Sequence, residues 1–132
     1  MKTEMYAYLG ISDFNCDPSE ITKIVGVRPT ETYKKGDLIG KTKLRCRQSG
    51  WQHKVKADTS LELDALIKKI FKKFRNTQKL KLGISKGKGA IVCVAYVSDR
   101  SADLSLSLST IKKIASLNCE FLIDYYIVPE EA

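Results

Sequence analysis

The chain has 132 residues, with 23 Lys or Arg against 15 Asp or Glu and a formal net charge of +8. That length suits one domain able to bury a core without disulfide or metal staples, and a hydrophobic fraction of 43% marks a folded chain, not a disordered one. No stretch approaches the roughly 20 apolar residues of a membrane helix, and no apolar run follows Met1-Lys2 as in a signal peptide. Collagen, coiled coil and membrane spans are excluded on that basis, and a cytoplasmic location is expected.

Met5, Ala7, Leu9 and Ile11 alternate with Tyr6 and Tyr8, the period of a half-buried strand. Asp17-Pro18-Ser19-Glu20 follows. Asp17 is a good N-cap, Pro18 suits the first helical turn, and Glu20 stands three residues after the cap. Ile21, Ile24 and Val25 give that helix an apolar side, Gly26 fits a left-handed stop and Pro29 prevents resumption. Residues 30–42 hold few apolar anchors and read as a loop. Leu44 and Cys46 alternate with Lys43, Arg45 and Arg47, Ser49-Gly50 is a turn signal, and Trp51, His53 and Val55 alternate with Gln52, Lys54 and Lys56. This predicts a hairpin over 43–56 with one apolar and one basic face.

The next helix is the most regular element. Thr59 and Glu62 form a Thr-x-x-Glu box, and Leu63, Leu66, Ile67, Ile70, Phe71 and Phe74 keep helical spacing opposite Lys68, Lys69, Lys72 and Lys73. The helix is expected over 60–75, ending near Asn76. Dipole matching and solvation account for its lysines without any ligand. Lys79 to Ser85 alternates and predicts a strand, paired through the turn Lys86-Gly87-Lys88-Gly89 with the almost wholly apolar Ala90 to Val97. Such an apolar run suits a strand that is central or covered on both faces. Ser109 is a candidate cap for a third helix using Ile111, Ile114, Ala115 and Leu117, closed by Asn118, and Cys119 to Val128 reads as the last strand. The expected fold is a single α+β domain over 1–132, of order β-α-β-β-α-β-β-α-β. Its mostly antiparallel or mixed sheet carries about three helices on one face.

The charge is unevenly placed. Arg28 to Lys88 holds 18 basic and 5 acidic residues, and the flanks hold 5 and 10. An excess of that kind points to an anionic partner, whether nucleic acid, a membrane surface or an acidic protein, although exposed lysines also simply solubilise a small protein.

Chemistry is sparse. Cys16, Cys46, Cys93 and Cys119 form no closely spaced pair, so free thiols are favoured over zinc or disulfides, with Cys46 between Arg45 and Arg47 the one thiol whose neighbours favour its thiolate. His53, the only histidine, shares its strand face with Trp51 and Val55 and reads as a packing residue. No phosphate loop, HExxH or GxSxG occurs, and no cofactor is expected. Asp13, Asp17, Asp99, Asp103 and Asp124 fall near strand ends or in loops, a weak arrangement for a hard cation. Asp124 stands inside an apolar strand, so it must face outward or be hydrogen-bonded, and it suits an interface. Tyr6, Tyr8, Tyr33, Tyr125 and Tyr126 serve base stacking only if two strands face outward together, and tyrosines also serve protein interfaces.

Asp17-Pro18 with Glu20-Ile21-Thr22, then Val25-Gly26-Val27, Pro29, Lys35-Gly36-Asp37 and Trp51, resembles the N-terminal pattern of the bacterial domain of unknown function 4279. Ile111 to Leu117 and Ile123-Asp124-Tyr125-Tyr126 are similar to its C-terminal helix and strand. The resemblance covers essentially the whole chain and brings no catalytic motif. It implies a likeness to small immunity proteins that neutralise nuclease toxins. The expected function is therefore a non-enzymatic protein that binds a cognate toxin through Tyr33, Lys35, Arg45, Arg47 and Asp124. Nuclease toxins are often basic, so the partner of this basic chain needs an acidic patch, or the contact uses the acidic flanks. The alternative is a nucleic-acid-binding module using hairpin 43–56 and helix 60–75.

Overall fold

The computed structural model describes residues 3–58, 60–98 and 102–129. The elements in chain order are β1 (Glu4–Ser12), α1 (Pro18–Val25), β2 (Glu31–Tyr33), β3 (Gly50–Lys56), α2 (Leu63–Lys73), α3 (Thr77–Ile84), β4 (Lys88–Val97), α4 (Leu108–Ser116) and β5 (Cys119–Ile127). The five strands form one mixed sheet of order β2-β3-β1-β4-β5. All pairs are antiparallel except β4–β5, which α4 joins as a parallel crossover. The fold is α+β as expected, with four helices among the described residues where about three were expected.

The helices share one face of the sheet. Met5, Ala7, Leu9 and Ile11 of β1, Trp51 and Val55 of β3, and Ile91, Cys93, Ala95 and Val97 of β4 point to that face. They form one apolar core with Ile21, Leu66, Ile67, Ile70, Leu80 and Ile114. Trp51 is fully buried, and its indole N–H donates to Thr22 Oγ1 at 3.0 Å, tying β3 to α1. Phe74, just past α2, meets the Trp51 and His53 rings edge-on, at 6.1 and 5.6 Å between centroids. His53 Nδ1 lies 2.8 Å from the Arg28 carbonyl, which can only accept, so the proton sits on Nδ1. The expected packing role for His53 agrees with these contacts.

Local chemistry explains the helix ends. Asp17 accepts from the Ser19 N–H at 3.0 Å, and Gly26 closes α1 at φ 73°. Asn118 takes φ 57° after α4, as its stop signal implied. The cap of α4 is Ser107, which accepts from Thr110, and not Ser109, so the helix begins at Leu108. At α2, Glu62 itself occupies the cap position and makes no side-chain cap bond, while the Leu63 N–H donates to the Asp103 carbonyl. Thr59 lies outside the described residues.

Two expected strands are corrected. Lys79 to Ile84 belongs to α3 with Ser85 as its C-cap, because Asn76 accepts from the Lys79 N–H at 3.0 Å and so starts a helix where it was expected only to end one. Burial falls on Leu80, Gly83 and Ile84 at helical spacing, and Leu82 is 55% exposed. A Cβ at Gly83 would collide with Val25, so the missing side chain is what lets α3 lie against α1. The hairpin over 79–97 therefore does not form, and β4 pairs with β1 and β5.

The hairpin over 43–56 is also replaced. β3 pairs with Glu31–Tyr33, inside the segment expected to be a loop. Thr30 clamps that pairing: its N–H donates to the Gln52 carbonyl at 2.8 Å, and its hydroxyl accepts from the Lys54 N–H. Gly50 makes it sterically feasible, since a Cβ there would overlap the Tyr33 ring. Leu44, which was to anchor the apolar face, is 67% exposed.

Candidate functional site

Residues 36–46 fold on themselves as an arm beyond the β2 edge. The Gly36 N–H donates to the Cys46 carbonyl at 2.9 Å, Cys46 N–H to Asp37, and Ile39 N–H to Leu44, around an isolated bridge between Leu38 and Arg45. Gly36 at φ 91° and Gly40 at φ 56° supply the left-handed turns. The base is pinned from both sides. Lys34 Nζ lies 2.6 Å from the Asp17 carboxylate, and the Lys35 N–H donates to Ser49 Oγ at 3.0 Å. Hydrogen bonding from Lys34 and Ser19 holds the Asp17 carboxyl down at about 2.

This geometry gathers four of the five expected site residues. Arg45 Nη1 donates to the Gly36 carbonyl at 2.7 Å, which orients the guanidinium along the arm. Arg47 and Tyr33 line a groove of about 780 Å³ between β2 and the arm, with Glu31, Asp37, Leu38 and Ile39. Lys35 is exposed at its base. Residues 34–47 carry six bases and one acid, while Leu38, Ile39 and Leu44 are each about half exposed or more. The arm is thus cationic and apolar at once, a combination suited to an acidic segment with hydrophobic anchors. Half-buried Tyr33 has its pKa raised by desolvation, so its hydroxyl stays protonated and can donate.

Asp124 is elsewhere. It stands on the outward face of β5, at the opposite edge of the sheet, with β3, β1 and β4 between it and β2. It does face outward, and it shares no surface with the arm.

The sheet face opposite the helices is open among the described residues. Tyr6 and Tyr8 of β1, Val92, Val94 and Tyr96 of β4, and Leu122 and Tyr126 of β5 point to it. Tyr96 and Tyr126 stack with centroids 5.0 Å apart, and Lys54 Nζ sits 4.7 Å above the Tyr6 ring. Two strands do face outward together, as base stacking required. Val92, Val94 and Tyr96 could not be picked out from the sequence, because an apolar run like that of β4 suits a central strand and a strand covered on both faces alike. The usable signal was the Tyr alternation in β1, the strand that β4 flanks. Charge on this face is mixed: Lys54 and Lys56 on β3 and Lys88 on β4 stand with Glu4 on β1, Glu31 on β2, and Glu120 and Asp124 on β5. The lysines of α2 belong to the helix layer on the other side of the sheet, and Lys68 and Lys69 are paired there with Asp64 and Asp58.

The described residues hold no cluster of three His, Cys, Asp or Glu able to hold a metal ion. Asp103 is occupied by Ser105, and Asp99 lies outside the described residues. All four cysteines are free, and burial pushes the Cys93 and Cys119 thiols up to about 11. No helix of the described residues is long and apolar enough to cross a membrane. No curated protein and no solved structure matches the chain at the significance required. A family model does: the one described as a domain of unknown function (DUF4279) matches residues 3–128, nearly the full length, and the chain belongs to that family.

Proposed function

We propose that the chain is a non-enzymatic binding protein of the immunity type, which docks an acidic segment of a cognate nuclease-type toxin against its 36–46 arm. The observation that carries this reading is the arm itself. Its hydrophobic side chains are held out in solvent among the six bases of residues 34–47, over a groove lined by Tyr33 and Arg47. Exposed apolar side chains grouped within a polar rim mark interaction surfaces, and the surrounding charge both steers the encounter and selects an anionic partner.

The test is calorimetric titration of the chain with the product of the open reading frame beside its gene, together with growth rescue when both are expressed. The double variant R45E/R47E is expected to weaken binding about a hundredfold and to abolish rescue. Undiminished affinity in that variant would sink the assignment to the arm.

A second reading has one observation in its favour. Lys54 over Tyr6, and Lys56 opposite it, interleave cations with aromatic rings on the open face, as in single-strand nucleic-acid binding. Glu120 and Asp124 on the same face oppose a polyanion. A mixed-sequence DNA of about 20 nucleotides at roughly 50 mM salt decides the matter: tight binding that collapses steeply as salt rises would replace the immunity reading.

A further inference from the structure

The two edges of the sheet are unlike. The β2 edge is three residues long and has the arm beyond it, whereas β5 runs for nine residues with no strand beyond it. Where the backbone of β5 points follows from bonds elsewhere in the sheet. The Ala57 N–H donates to the Met5 carbonyl and the Asp13 N–H to the Ser49 carbonyl, so the odd-numbered residues of β1 bond toward β3. Successive residues of a strand bond to opposite sides. The even-numbered residues of β1 and β4 therefore bond to each other, and the odd-numbered residues of β4 bond toward β5. The Val128 N–H donates to the Val97 carbonyl at 2.9 Å, which agrees, and it turns the even-numbered residues of β5 toward β4. Phe121, Ile123, Tyr125 and Ile127 are left with an N–H and a C=O each directed away from the sheet, and no described residue bonds to them.

We infer that β5 takes up an extended segment of a partner protein as a sixth strand, with basic side chains on the open-face side and apolar side chains on the helix side. Unpaired edges are templates for strand addition: the main chain supplies affinity, and alternate side chains choose the partner. Antiparallel addition is the stronger form per residue. On the helix side the added strand meets Phe121, Ile123, Tyr125 and Ile127, the last two 57% and 66% exposed. On the other side it meets Glu120 and Asp124, both exposed, with Leu122 between them.

Charge selects the occupant. From Cys119 to Ala132 the sequence has four acids and no base. Of the bases on adjoining elements, Lys88 belongs to β4 and Lys112 and Lys113 to α4, and Lys113 is held by Thr77 Oγ1 at 2.9 Å. A second copy paired antiparallel along β5 would gather Glu120 and Asp124 of both chains on one face, where like charges oppose pairing. A polyanion is repelled for the same reason. A basic strand is matched. This edge is separated from β2 and the arm by three strands, and its occupant does not depend on the arm's partner.

The probe is the capped peptide Val-Thr-Val-Lys-Val-Thr-Val-Lys-Val, whose two lysines have the spacing of Glu120 and Asp124. Its dissociation constant for the full chain is expected to be on the order of tens of micromolar. In the free chain the Ile123 and Tyr125 amides are expected to exchange hydrogen at least about tenfold faster than those of Leu122 and Asp124, and saturating peptide is expected to remove that difference. With the lysines opposite Glu120 and Asp124, the valine nitrogens point at β5 and the threonine nitrogens away from it. N-methylation of the second and third valines is expected to abolish binding, and N-methylation of both threonines to leave it within about threefold. Y125P removes one outward N–H and no bond to β4, and it is expected to weaken binding at least about tenfold. E120K/D124K, at two exposed positions, is expected to lose the peptide and to take the version with Glu in place of Lys within about threefold of the parent pair. Absence of binding at about 1 mM peptide overturns the inference. Equal affinities for the two methylated peptides, unchanged exchange at Ile123 and Tyr125, or an E120K/D124K variant that keeps the lysine peptide overturn it as well.

Discussion

Asp64 shows how one polar side chain can hold two helices together. Its Oδ1 accepts from the Ser107 N–H at 2.9 Å and the Ser107 hydroxyl at 3.0 Å, while Lys68 Nζ stands 3.0 Å from Oδ2. Ser107 is also the cap of α4, so a residue in the first turn of α2 fixes where α4 begins. Hydrogen bonding from Thr110 and Ser107 holds the Asp64 carboxyl well below the usual carboxylate range. A depressed folded-state pKa means stability that is fully present above the unfolded value and lost as pH falls through the folded one. D64A is therefore expected to lower stability by about 2 kcal/mol at neutral pH, with the gap to the parent narrowing below about pH 4. Urea unfolding at both pH values checks this. A gap that did not change with pH would assign the cost to packing instead.

Gly83 makes the opposite kind of contribution, through what it lacks. Alanine is the better helix former by about 1 kcal/mol, but its Cβ would enter the space of Val25, a stiff β-branched side chain in the core. Overpacking of that sort costs about 1–3 kcal/mol, so the steric term wins, and G83A is expected to melt several degrees below the parent. Calorimetry of the two proteins measures it.

Among the elements, those set by local chemistry were legible in the sequence and those set by distant partners were not. Asp17, Gly26 and Asn118 each act on backbone within a turn of themselves, and α1 and the end of α4 follow from them. The periodicities of β1, α2 and β5 survive for the same reason. Residues 79–85 failed because Leu80, Leu82 and Ile84 fit a strand as well as a helix, and the residue that decides, Gly83, buries nothing a pattern can count. Residues 43–47 failed differently. Their alternation belongs to the ladder within the arm, and only the steric fit of Gly50 under Tyr33 shows that β3 takes 31–33 as its neighbour. Part of the candidate site was therefore readable. Tyr33, Lys35, Arg45 and Arg47 lie close together because the arm folds back at Gly36 and Gly40, while Asp124 is separated from them by a strand order no local signal encodes.

The arm makes a prediction at this scale. Its hydrogen bonds are mostly internal, and its apolar side chains contribute little to the core. Replacing residues 37–45 with a short Gly/Ser linker is expected to change stability by less than about 1 kcal/mol, since loop-closure entropy varies slowly with length, while removing partner binding altogether. Loss of the cooperative unfolding transition in that variant would mean that the arm is a structural clamp.

For the whole molecule, the excess of positive charge in the middle of the sequence is dispersed over several surfaces. Residues 34–47 carry six of the eighteen bases, the exposed side of α2 four and β3 two, the last sharing a sheet face with acids on β5, and the other six are scattered over further elements and loops. Net charge alone therefore overstates the case for a polyanionic ligand. The apolar stretch of β4 suited a strand that is central or covered on both faces, and the first alternative holds: it lies between β1 and β5 with helices on one face. The remaining side became visible only when β1 and β5 were placed beside it.

The central place of β1 also bears on how the chain is made. Leu9 faces His53 on one side and Ile91 on the other, partners roughly 40 and 80 residues later in the chain. At about 10 residues per second, a ribosome delivers the second of those neighbours some 8 s after β1 itself. For about the first half of that interval both backbone edges of the strand are unpaired, and the edge that β4 takes stays so to its end. Nascent chains of this fold thus make the sheet's central strand well before the strand that completes its cover. The tyrosines and the glycine interleaved in β1 make it less adhesive than an unbroken run of aliphatic residues would be while it waits.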